Sequence, residues 1–548
     1  MRASDLMVGC LAAQGADRIF CVPGESYLAL LDALHGDARI DVVVCRHEGG
    51  AGFAAVADAK LTGRPGVVAC SRGPGATNAA IAAHLAEQDA VPLVMLVGQV
   101  ARHERGRGAF QEVDYGQMFG RIAKGVWEVN DADRLPEIVA RAWATAQGGT
   151  PGPVVIALPE DMLSDSSEAA IVGKLPVPRA APASAEIDRA MALLERAERP
   201  LLIAGGQVAG EAGRAALARV AAAHHLAVAT TFKYQHVFDN ASPLFAGHLG
   251  FHIPTPQVEA LSGADLILAV GTRLGDTPTQ GYKLPRAPEP AQPLIHVYPD
   301  AAAIGRTWRT DLGLPCDPVA FLEALAARNA EVPPARRAWA EEANGWARRM
   351  RTYAVREFGD GLDFGAVIEP MARRAPRDAI MTMDAGNFSS WAHATWPWDG
   401  TQQMVGAVGG AMGIGVPGAL AACLRHPDRT VICMVGDGGL MMNGNELATA
   451  IARGCKPRIV VSNNGSYGTI RLHQEGAFPG RVSGTRLANP DFAAWGRAFG
   501  ALGLTVREPG EAEEAVEQFL THDGPVVMDV HSSVEGISAL TTLSRVRG

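Results

Sequence analysis

Only eight cysteines occur in 548 residues, and none of them falls in a CxxC arrangement. Cys10, Cys21, Cys45, Cys70, Cys316, Cys423, Cys433 and Cys455 are scattered along the chain, several inside apolar runs. That usage excludes a disulfide scaffold or a zinc ribbon and fits reduced core residues of a cytoplasmic protein. Long hydrophobic runs are missing as well: none approaches the ~20 residues needed to span a bilayer. The amino terminus, Met1 to Asp5, leads into an amphipathic helical pattern without a secretory hydrophobic region. No excess of positive charge exists either. The chain carries 49 basic and 58 acidic side chains, a net charge of −9, with no long basic run. Neither a membrane nor a nucleic acid is therefore an expected partner.

What the chain does have is length for about three domains, divided by two breaks rich in Pro and Ala, at 175–185 and around 331–334. Such stretches favour extended linkers and end helices. The predicted units are 1–174, 186–332 and 360–548. In each, runs of β-branched and apolar residues (Gly66 to Cys70, Leu266 to Val270, Thr430 to Val435) alternate with Ala-rich helical segments, the pattern of α/β domains built on doubly wound parallel sheets.

The most informative motif is Gly436-Asp437-Gly438-Gly439 followed, 23 residues later, by Asn463-Asn464-Gly465. The first group ends one predicted strand and the second ends the next, so a right-handed crossover sets the two ends side by side. A carboxylate oxygen, an amide oxygen and a backbone carbonyl just beyond suit Mg²⁺, which keeps water and diphosphate oxygens in its other positions. Gly438 and Gly439 would allow close approach of the main chain to a phosphate.

These residues resemble the shared motif of thiamine diphosphate enzymes. The resemblance implies that Asp437, Asn464 and the carbonyl of Ser466 hold the metal. It extends to Cys21 to Glu25, Ser71 to Asn78 and Ala109 to Glu112, and so spans nearly the whole chain. By the same resemblance Glu48 is the catalytic carboxyl that hydrogen-bonds the cofactor's aminopyrimidine, and burial among Ala and Gly would raise its pKa. Pro74 and Asn78 would lie beside the pyrimidine, and Gln111 would face the reacting end. Met412 would prop the bent cofactor, and the loop carrying Gly386 and Asn387 would touch the diphosphate. The family also implies a homodimer or homotetramer, with sites formed between the pyrimidine-binding domain of one subunit and the diphosphate-binding domain of another.

Branch and substrate follow from departures within the family. Gly73 to Asn78 with Phe110-Gln111-Glu112 is similar to acetolactate synthases. Ser71 and Ile470 stand where some decarboxylases carry proton-donating acids, which favours carboligation of a 2-oxo acid over simple decarboxylation. His473 replaces a tryptophan common in acetolactate synthases. Its ordinary pKa makes it a candidate proton relay if it points inward, and that would favour a 2-oxo-acid decarboxylase or a 2-hydroxyacyl lyase. A cofactor-binding but inactive regulatory homologue is the reading from another class, although intact Glu48, Asp437 and Asn464 argue against it. In the central domain Arg273 resembles an arginine near FAD, yet Thr277 stands in place of a second one, which leaves FAD open.

Overall fold

Strands with no polar alternation cannot leave either face to water, so they must be covered on both sides. In the computed structural model, which describes residues 1–251, 253–329 and 331–548, such runs build three six-stranded sheets, each parallel throughout. The first contains β1 (Arg18–Cys21), β2 (Asp41–Val44), β3 (Gly66–Cys70), β4 (Leu93–Gln99), β5 (Gly125–Glu128) and β6 (Pro153–Pro159), in the order β2-β1-β3-β4-β6-β5. The second contains β7 (Pro200–Ala204), β8 (Ala227–Thr231), β9 (Phe245–Leu249), β10 (Leu266–Val270), β11 (Leu294–Val297) and β12 (Leu312–Leu314), ordered β12-β11-β10-β7-β8-β9. The third contains β13 (Ile380–Met383), β14 (Gln403–Gly406), β15 (Val431–Gly436), β16 (Arg458–Asn463), β17 (Leu502–Val506) and β18 (Val526–His531), ordered β14-β13-β15-β16-β18-β17.

Counted from its own first strand, the third sheet repeats the order of the first. The central sheet has instead the order of dinucleotide-binding domains. The fold class expected from the sequence, α/β with three doubly wound parallel sheets, is thus the fold observed. Helix Pro334–Arg351 follows the second Pro-rich break yet packs back on the central sheet, burying Trp339, Ala343 and Ala347. Its buried Arg336 donates to the carbonyls of Leu194, Ala197 and His224, so the guanidinium is satisfied by the carboxyl-terminal ends of two helices. The amino-terminal helix Ala3–Gln14 is buried on nearly every face rather than amphipathic.

The outer two domains share one apolar core, in which helix Glu48–Thr62 lies against helix Gly415–Arg425. Small side chains such as Ala54 and Ala57 let the helices approach closely. Polar contacts frame this contact. The Arg425 guanidinium donates to both Asp17 and Asp58, and Asp89 pairs with Lys60 while accepting from the N–H groups of Val408 and Gly409 at 3.1 and 2.8 Å. The fully buried Glu446 accepts from the backbone N–H of Arg46 at 2.9 Å, the N–H of His47 at 3.0 Å and the Thr449 hydroxyl at 2.7 Å.

Removing that carboxylate leaves two main-chain donors unpaired in the interior. Glu446→Ala should therefore lower stability by about 3 kcal/mol, measured by denaturant unfolding, whereas Glu446→Gln, which keeps one acceptor, should lose less.

Candidate active site

Adjacent strands β15 and β16 pair Gly436 with Ser462, so the residues that follow leave the sheet at one edge. Asp437 opens helix Asp437–Asn443 and is 3% exposed. Its Oδ1 accepts from the Gly438 N–H at 2.8 Å, while Oδ2 accepts from the Asn489 amide at 2.8 Å and the Ser466 N–H at 3.3 Å. Asn464 Oδ1 accepts from the same Ser466 N–H at 3.1 Å. Two side-chain oxygens thus converge on one point. Burial pushes the Asp437 carboxyl above its ordinary pKa, against the hydrogen bonds that favour its charge. Among the described residues no basic side chain pairs with it. A buried carboxylate without a cationic partner, flanked by neutral hard oxygens, fits a divalent cation that brings further oxygens with its ligand.

These atoms open onto a cavity of ≈ 570 Å³ lined by Gly386, Asn387, Met412, Asp437, Gly438, Gly439, Asn464 and Ser466, with a wall from the central domain that includes Lys233 and His248. Asn387 Nδ2 is buried and unpartnered there, while its Oδ1 accepts from the Thr469 hydroxyl. An orphaned donor beside the carboxylate fits an anionic oxygen such as that of a diphosphate. The glycines also answer a need of the chain's own packing. A Cβ on Gly438 would lie 2.5 Å from the Tyr467 ring, and one on Gly439 would lie 3.0 Å from Asp384 Oδ2, so both are required first by the packing of the chain itself.

The remaining sequence-derived residues form a separate group. Asn78 Nδ2 donates to Glu48 Oε2 at 2.9 Å. Gln111, with a left-handed φ of 65°, lies against Gly73 beside Pro74. In the single chain Glu48 is half-buried, at the open amino-terminal end of helix Glu48–Thr62, whose later residues carry the buried face. None of Glu48, Pro74, Asn78 and Gln111 lines the cavity. Helix Pro74–Gln88 explains the separation: its last residue, Gln88, touches the cavity, and 15 residues at 1.5 Å each put Pro74 roughly 21 Å away. His473 does not point inward in this chain. Leu472 and Glu475 take the buried side of helix Gly468–Ala477, and His473 is exposed outside the cavity.

Three carboxylates or amides with clear duties, two of them buried, were not singled out from the sequence. Asp384 accepts from the N–H groups of Ala385, Gly413 and Gly415 and so fixes the glycine-rich turn bearing Met412. Asn489 bridges Asp437 and Asn463, and the dipeptide Asn489-Pro490 is a turn signal that could have drawn notice. Glu446 is the third. Between the two motif halves the chain forms two helices, Asp437–Asn443 and Glu446–Ala452. The break lies at Gly444, where a Cβ would meet the Leu440 carbonyl at 2.4 Å.

Three parallel α/β domains with a cavity at the carboxyl ends of the strands define an enzyme of the α/β class. Its residues 1–118, 187–325 and 384–530 match the models of the thiamine pyrophosphate enzyme N-terminal TPP binding domain, central domain and C-terminal TPP binding domain. The chain is 33% identical over 544 residues to the acetolactate synthase large subunit of Parasynechococcus marenigrum WH8102, covering 96% of this chain and 86% of that one. It is 31% identical over 537 residues to the acetolactate synthase isozyme 2 large subunit of Escherichia coli K12, covering 97% and 95%. Against the mitochondrial acetolactate synthase catalytic subunit of Saccharomyces cerevisiae it is 29% identical over 549 residues, covering 95% and 79%. The chain belongs to the thiamine pyrophosphate enzyme family, as its motifs imply.

Burial holds the Asp384 carboxyl up at about 6, above its unfolded value of ~3.9. The folded state therefore binds the proton more tightly, and Asp384 contributes a loss of stability as pH rises from 4 to 6, on the order of 3 kcal/mol. Compared over that window by denaturant unfolding, Asp384→Asn should lack this part of the pH dependence.

Proposed function

We propose that this enzyme, with thiamine diphosphate and Mg²⁺, cleaves a 2-oxo acid next to its carbonyl and transfers the acyl-anion equivalent to an acceptor, with acetolactate formation from pyruvate as the leading case. The reading is carried by the buried, cation-free carboxylate of Asp437 converging with Asn464 at the mouth of the cavity. The near full-length similarity to acetolactate synthases supports the choice of reaction. Asp437, Asn464 and the Ser466 carbonyl would hold the metal. Asn387, Gly386, Gly438 and Gly439 would meet the diphosphate, and Met412 the bend of the cofactor. The bound cofactor supplies a nucleophilic carbon that stabilises negative charge at the substrate's former carbonyl carbon.

The units 1–174, 186–332 and 360–548 would be the pyrimidine-binding, central and diphosphate-binding domains. Glu48 would hydrogen-bond the pyrimidine, with Pro74 and Asn78 beside it and Gln111 at the reacting end. Because these residues stand apart from the cavity of their own chain, they would act on the site of another subunit in a homodimer or homotetramer. Exposed apolar side chains beside both halves support such a cover: Val44 and Phe110 near Glu48 and Gln111, and Met441 and Ile470 near Asp437 and Asn464. His473 could reach a reacting atom only where a second subunit closes over its helix, so its placement lends no support to the decarboxylase or lyase reading. FAD receives no step here. The Tyr234 ring occupies the space above Gly206 after β7, and Arg273 is engaged by Glu87 and the Gln88 carbonyl. Eight free, buried cysteines support a reducing, cytoplasmic setting, and among the described residues no helix is long and apolar enough to cross a membrane.

Asp437→Ala should weaken Mg²⁺-dependent thiamine diphosphate binding by roughly 100-fold or more, read by calorimetry; unchanged affinity would refute the metal site. For the shared site, Glu48→Gln and Asp437→Ala chains, each inactive, should regain about a quarter of wild-type activity when mixed under subunit exchange, since half the dimers are hybrids with one intact site. Persistent inactivity in proven hybrids would refute it.

A further inference from the structure

The wall that the central domain gives the cavity carries polar atoms that nothing among the described residues satisfies. Lys233 lies two residues beyond β8, with a left-handed φ of 64° and 2% exposure. Its Nζ is buried without a hydrogen-bond partner, 5.1 Å from the centre of the Phe232 ring, and its stem lies against Gly406, where a Cβ would come within 3.0 Å of Lys233 Cδ. Asp384 and Asp89 act on it only through space. Beside it, the rings of His248 and His393 stack at 4.2 Å, and Nε2 of each is buried and unpartnered.

The tautomer of His393 can be assigned. Gln235 Nε2 donates to Asn240 Oδ1 at 2.8 Å and to the His393 carbonyl at 3.1 Å, so its Oε1 is the atom facing His393 Nδ1 at 2.7 Å. Nδ1 therefore carries the proton, and Nε2 is a bare lone pair. Burial holds His248 at about 3 and His393 well below its ordinary value, so both rings are neutral, and it lowers the Lys233 amine to about 7. A left-handed non-glycine residue and a buried amine without a bonded counter-ion each cost stability. Their presence together in a ligand cavity points to a group that arrives from outside.

We propose that Lys233, with His248 and His393 beside it, is a specificity-determining subsite that receives a second carboxylate, remote from the reacting carbonyl, on a compound the enzyme processes. The inference rests on the reading of the cavity as a site for 2-oxo acids. An incoming carboxylate restores the ammonium and accepts its N–H bonds. The negative face of Phe232 and the lone pair of His393 favour the same charged form, while two neutral imidazoles add no repulsion and exclude water from the pair.

The test uses the full chain loaded with thiamine diphosphate and Mg²⁺. Donors are compared as 2-oxoglutarate against 2-oxopentanoate, and acceptors as 4-oxobutanoate against butanal with pyruvate as donor, pairs matched in chain length. In at least one arm kcat/KM should favour the dianionic or anionic member by about tenfold or more, and Lys233→Met should reduce that ratio by about tenfold or more while Lys233→Arg retains part of it. Glutarate, which cannot react, should bind the loaded enzyme by calorimetry and lose that binding in Lys233→Met, with thiamine diphosphate affinity kept. Ligand-free Lys233→Met should melt no lower than the wild type, because a buried unpaired amine has been removed. Equal rates within both pairs, a preference that survives Lys233→Met, or glutarate binding indifferent to the substitution would each overturn the subsite. If no 2-oxo acid yields product although the cofactor binds, the proposed function fails on its own, and the glutarate titration still decides the subsite.

Discussion

The buried carboxylate of Glu446 gathers the backbone N–H groups of Arg46 and His47, and this contact sets the direction of everything that follows them. It fixes the turn from β2 into helix Glu48–Thr62 on the third domain of the same chain. Glu48, the next residue, is thereby committed to the outer side of the shared core, away from the cavity that Asp437 enters. Arg425, Lys60 and Asp89 repeat the same clamp farther along. The two outer domains are therefore one rigid pair, and neither proposed half of the site can swing to meet the other within a single chain.

The cavity itself is electrostatically unfinished. Asp437 carries a carboxyl pushed up by burial, and Lys233 carries an amine pushed down by it. Asn387, His248 and His393 add unpaired polar atoms. The buried charges of Arg336 and Glu446, by contrast, are met by main-chain partners. Unpaired polar atoms that face a ligand cavity are what a preorganised site looks like before its ligands supply the missing charge.

The fold was legible because the central strands are apolar on both faces, and β3, β4, β7, β10, β15 and β16 all stood out. Of the strands that escaped notice, β5, β9, β12, β14 and β17 are sheet edges and only β8 is internal. The burial along β5 and β17 is partial, so the apolar signal fades where one flank faces solvent. Motif residues at strand ends could be placed from spacing alone. Side-chain direction could not. His473 needed the helix phase set by Leu472 and Glu475, and Lys233 looked like any surface lysine until β8 and β9 placed it inside. The glycines at 438 and 439 were recognised as necessary, but their neighbours, Tyr467 and Asp384, lie far away in sequence.

The repeated strand order of the outer sheets has a consequence for assembly. Two domains of one topology, locked side by side, present similar crevices in opposite roles, so a single twofold axis between chains would complete both sites in one step. In the proposed arrangement each cofactor spans the interface between the chains and binds only the assembled pair. Its binding free energy would then be added to that of association. Thiamine diphosphate would act as a molecular adhesive as well as a reagent, tightening the hold of one chain on the other.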